Sequence, residues 1–65
     1  MEFNQDTIQR GRIVLLKAVK YRGHLPIGDC IELLLASMPK RLIKSYSQAR
    51  RLYFEICDDS PVWNL

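Results

Sequence analysis

Prolines at positions 26, 39 and 61, together with Gly23, cut this chain into segments whose apolar residues recur at helical spacing. Proline inside a helix removes a backbone hydrogen bond and clashes with the preceding turn, so helices must break around these positions. Glycine and proline number only three each, too few for a many-turned β-fold. The expectation is an all-α chain: one compact three-helix domain over residues 1–65, its last residues a short apolar C-terminal tail.

The first helix is expected to start near Asp6 or Thr7, either of which can cap it, and to run to about Arg22. On a helical wheel Ile8, Leu15 and Val19 fall together, with Leu16 and Ala18 at the edges of the stripe. Val14 and Tyr21, with Ile13 nearby, form a second apolar group across the helix. Gly23 is placed to end it in a left-handed conformation. His24-Leu25-Pro26 reads as an extended link, because the residue before proline is pushed away from helical geometry. Pro26 suits the first position of a second helix. There Ile27, Cys30, Ile31, Leu34 and Met38 form the buried stripe, widened by Leu33 and Leu35. Asp29 and Glu32 stand in its early turns, where carboxylates complement the helix dipole.

Pro39 marks the next break, and Lys40 to Lys44 reads equally as a basic loop or a helical turn. Ser45-Tyr46-Ser47-Gln48 fits a capping box, with Ser45 as cap and Gln48 reaching back. The third helix then runs to about Cys57. Ala49, Leu52, Tyr53 and Ile56 face inward, and Ser47, Arg50, Arg51 and Phe54 face outward, with Gln48 and Glu55 on the flank. Asp58-Asp59-Ser60-Pro61 stops the helix. The tail Val62-Trp63-Asn64-Leu65 is too apolar for a free end and is expected to dock.

A domain of this size buries only about 60% of its unfolded surface and tends to need help, often a second subunit. Its apolar fraction of 48% is nevertheless too high for a disordered chain. All ten basic residues fall in two segments free of acids. One runs from Arg10 to Arg22, the other from Lys40 to Arg51. The seven acids lie outside both segments. Such segregation is either an electrostatic footprint for a polyanion or a pair of solvated helix faces.

Several chemistries are excluded. Cys30 and Cys57 form no Cys-x-x-Cys pair, and His24 has no second ligand at zinc spacing, so no metal or cofactor is expected. Both cysteines sit in helical patterns, as reduced core thiols rather than a disulfide. A nucleophile needs a base in reach, and the only histidine lies in a link beside proline, so the chain is not expected to be an enzyme. The charged first twenty residues do not resemble a secretory leader, and no apolar run is long enough to span a bilayer. A cytoplasmic protein without membrane contact is the expectation.

The stretch from Gly23 through Leu34, followed by Ser45 to Ile56, resembles the helix-turn-helix superfamily of DNA-binding proteins. It is most similar to the small winged-helix-like regulators of bacteria, phages and plasmids. The resemblance implies a helix-turn-helix-like arrangement and a transcription regulator bound to double-stranded DNA, its third helix lying in the major groove. Carried onto this sequence, Ser47, Gln48 and Arg51 would read bases, with Arg50 and Tyr46 nearby, since arginine pairs with guanine and glutamine with adenine. Lys40, Arg41 and Lys44 would hold phosphates. The chain departs from the pattern at Met38 to Lys44, longer than the usual turn of about three or four residues. A wing would also need a β-hairpin after Asp59.

A rival expectation is a small helical adaptor or inhibitor that docks on a larger protein. Phe54, Trp63 and the Val14–Tyr21 group are its candidate interface, since aromatic residues often anchor partners. The same Val14–Tyr21 group could be the seam of a homodimer, or Phe54 and Trp63 could simply pack on each other.

Overall fold

The computed structural model describes residues 3–59. They form three helices, α1 (Gln5–Arg22), α2 (Ile27–Ser37) and α3 (Tyr46–Asp59), with no strand among the described residues. The chain is an all-α three-helix domain in which every helix packs against both others. Among the described residues no helix is long and apolar enough to cross a membrane, and no three metal-ligating side chains cluster. Trp63 and the apolar tail lie outside the described residues.

α1 begins ahead of the expected Asp6 or Thr7. Asn4 is the cap, and its side-chain Oδ1 accepts a hydrogen bond from the Thr7 N–H at 2.8 Å. Asparagine caps as well as aspartate does, and satisfying that N–H contributes about 1 kcal/mol. Asp6 falls instead in the first turn, 3.3 Å from Arg10. Both side chains are mostly in water, so this pair contributes little.

The inward face of α1 is Thr7, Ile8, Gly11 and Leu15. Val19, expected in the stripe, is only half-buried, because no residue of α1 beyond Leu15 reaches the core. The helix stops at Gly23, whose N–H donates to the Val19 carbonyl at 2.9 Å. Gly23 has φ +78° as expected, but its ψ of −163° places it outside the left-handed helical region. That corner of backbone space is essentially open to glycine alone.

Pro26 is the cap of α2 rather than its first residue, and its carbonyl accepts from the Cys30 N–H at 3.1 Å. Cys30, Ile31 and Leu34 are buried, and Met38 continues the stripe just past the helix end. Ile27 departs from expectation: it is 53% exposed. As the first residue of α2 it borders a shallow cleft with His24, Leu25 and Tyr53 instead of entering the core. From α3 the core receives Ala49, Leu52, Tyr53 and Ile56, as the period predicts.

Both cysteines are free thiols. The Cys30 S–H lies 3.8 Å from the Leu25 carbonyl, and burial, then proximity to Cys57 and Asp29, pushes its pKa above the ordinary 9.0. Burial raises the Tyr53 hydroxyl above 10.0 as well, helped by its hydrogen bond with Cys57. The folded chain therefore keeps protons that the unfolded chain releases at the ordinary values. Stability from these groups is full below about pH 9 and is lost as the pH rises. The denaturation midpoint should hold steady from about pH 7 to 8 and fall between about pH 9 and 11. Tyr53→Phe should flatten the upper part of that decline; an equally steep decline would mean that Tyr53 is not responsible.

Candidate nucleic-acid interface

The basic connection between α2 and α3 resolves into one hydrogen-bonded turn. The Pro39 carbonyl accepts from both the Leu42 N–H at 2.9 Å and the Ile43 N–H at 3.0 Å. Met38 and Ile43 are buried on either side of it, at 4% and 1% exposure, so the core pins both ends of the turn. Lys40 and Arg41 are held outward at its apex, and Lys44 follows in the open. Ile43 was missed by the sequence reading. Leu42 and Ile43 form a two-residue apolar step between basic neighbours, too short for a helical period to mark which of them is core.

The capping box forms with one change. Ser45 Oγ accepts from the Gln48 N–H at 3.3 Å, as expected. Gln48 Oε1, however, accepts from the Lys44 N–H at 2.6 Å rather than from that of Ser45. The amide of Gln48 thus ties the basic turn to the first turn of α3. Reading adenine needs both ends of a glutamine amide, and the oxygen end here already holds Lys44.

Ser47, Arg50, Arg51 and Phe54 share one face of α3, and all four are exposed. The Arg50 guanidinium lies over the Phe54 ring, 5.1 Å from its centre. Phe54 in turn meets Tyr53 edge-on, with ring centres 5.4 Å apart. An exposed cation–π contact contributes about 0.5–1 kcal/mol, enough to bias where Arg50 points. Phe54, 42% exposed, therefore supports Arg50 on this face. Tyr46 is 45% exposed at the start of α3, whereas Tyr53 is buried.

Lys40 and Lys44 line a shallow cleft together with Glu32 of α2. One carboxylate therefore shares the lysine side of the turn, while the arginines project from α3. Of the residues expected at a partner interface, the three that are described, Val14, Tyr21 and Phe54, do not form one surface. Val14 and Tyr21 line a groove between α1 and α2, and Phe54 sits on the outward face of α3.

Compared with known proteins, the chain matches no family model, no curated protein and no solved structure.

Proposed function

We propose that this chain is a small DNA-binding regulator that lays the outward face of α3 in the major groove. One observation carries the proposal. Lys40, Arg41, Lys44, Arg50 and Arg51 are all exposed, and they lie on a pinned turn and the helix that follows it, with no acid between Glu32 and Glu55 in sequence. In this arrangement Lys40, Arg41 and Lys44 contact phosphates and set orientation. Ser47, Arg50 and Arg51 face base edges, with arginine suited to guanine. Gln48 fixes the turn against the helix. The eight residues from Met38 to Ser45 make a longer connection than the usual helix-turn-helix turn. The angle between α2 and α3 need therefore not be the familiar one. Free thiols at Cys30 and Cys57 fit a reducing, cytoplasmic setting.

Binding to a random duplex at two salt concentrations tests this directly. Three phosphate contacts should weaken binding roughly 40-fold between about 50 and 200 mM salt. Arg50→Ala with Arg51→Ala should reduce affinity by about tenfold or more while leaving the helical signal unchanged. No binding at the lower salt, or a double variant that binds as well as the parent, would reject this interface.

A further inference from the structure

The last two turns of α1 run past the core but are not a polar surface. Val14 and Ala18 of α1 and Leu33 of α2 are half-buried and form the floor of an open groove between the two helices. Tyr21 stands at its side with 79% of its surface exposed. Lys17 and Arg22 also line the groove, and no acidic residue does. Lys20 adds a third cation beside the Tyr21 ring, at 5.8 Å.

This combination narrows the choice of occupant. In a two-fold contact the same patch meets itself. A second copy seated here would bring Lys17, Lys20 and Arg22 toward their own counterparts. A nucleic acid would use the cations but gain little from the apolar floor. A groove between two helices takes an amphipathic helix, its apolar side on the floor. Acidic residues flanking that side would meet the cationic rim, and Tyr21 would supply rigid apolar area. We propose that the α1–α2 groove docks an amphipathic, acid-flanked helix of a partner protein. None of its lining residues belongs to the α3 face or the basic turn, so both surfaces can be occupied at once.

The test uses a labelled synthetic helix of about 18 residues with leucines at i, i+3, i+4 and i+7 between glutamates. One control peptide replaces the glutamates by lysine, and another replaces the leucines by glutamine. With the full chain, fluorescence anisotropy should show micromolar binding of the first peptide and at least about tenfold weaker binding of both controls. Tyr21→Ala and Ala18→Glu should each weaken binding by about tenfold. Tyr21 is exposed enough that its variant tests the groove even if Ala18→Glu disturbs the fold. Lys17→Glu with Arg22→Glu should reverse the preference toward the lysine peptide. Arg50→Ala with Arg51→Ala should leave peptide binding untouched, which separates this site from the DNA interface. The proposal is overturned by equal binding of the leucine-free peptide, by displacement of the peptide by duplex DNA, or by a chain dimer that Ala18→Glu dissociates. Absence of peptide binding at any accessible concentration would overturn it as well.

Discussion

Gly11→Val is expected to remove about 3 kcal/mol or more from the stability of this domain, a large part of what a chain this short can have. Gly11 lies on the buried, inward face of α1. A Cβ there would stand 2.7 Å from Ile56 Cδ1, 3.2 Å from Leu52 Cδ2 and 3.5 Å from Leu34 Cδ2. All three side chains are fully buried, so none can swing into solvent to make room. Glycine inside a helix costs about 1 kcal/mol relative to alanine. At this position that cost is offset by the close packing of α1 on Leu52 and Ile56 of α3.

Alanine at position 11 regains the propensity but overpacks the contact, at about 1–3 kcal/mol, so its net effect should be modest and unfavourable. Valine adds two methyl groups with a restricted χ1, and neither helix can yield without opening the core. Thermal unfolding followed by circular dichroism should show Gly11→Val melting about 12–24 °C below the parent. Gly28→Ala is the control. Its Cβ would meet only Tyr46 Oη, at 4.0 Å, in the first turn of α2, and the variant should be as stable as the parent or slightly more so. A Gly11→Val domain that melts with the parent would mean that α1 does not seat where the structure places it.

The contrast between these glycines shows what the sequence could and could not reveal. Periodicity located three helices and the inward residues of α3, because apolar spacing records which face is covered. It carries no record of where the covering neighbour ends. Ile27 fits the α2 stripe as well as Cys30 does, yet it lies beyond the core and stays exposed. Val19 fits the α1 stripe but comes after the last buried residue of that helix. Gly11 had no part in the expected apolar stripe of α1. Its role depends on Leu52 and Ile56, some forty residues away in sequence, and no local pattern joins them. For the candidate site, the order of basic residues and the cap at Ser45 were legible. The tie from Gln48 to Lys44 was not, since a capping box sends that side chain to the N–H of the cap, Ser45, and here it reaches one residue further back.

Ile43 has the most direct consequence for the basic surface. Ile43→Ala should cost about 2–5 kcal/mol, the usual range for truncating a fully buried isoleucine. Ile43→Val should cost only about 0.5–1.5 kcal/mol. Urea or thermal unfolding measures both, and a negligible loss in the alanine variant would show that the turn is not anchored in the core. The second expectation concerns DNA, with the variant kept folded at low temperature. Ile43 and Met38 hold the turn between them, and the turn carries Lys40, Arg41 and Lys44. Without the Ile43 anchor, those cations must be ordered at the moment of binding, at roughly 0.5–1.5 kcal/mol for each long side chain immobilised. Duplex affinity should therefore fall severalfold in Ile43→Ala and stay unchanged in Ile43→Val. Equal affinity in the two folded variants would mean that the three side chains act as a diffuse positive charge whose placement is immaterial. The core would then support the fold alone, and the turn would need only to be basic.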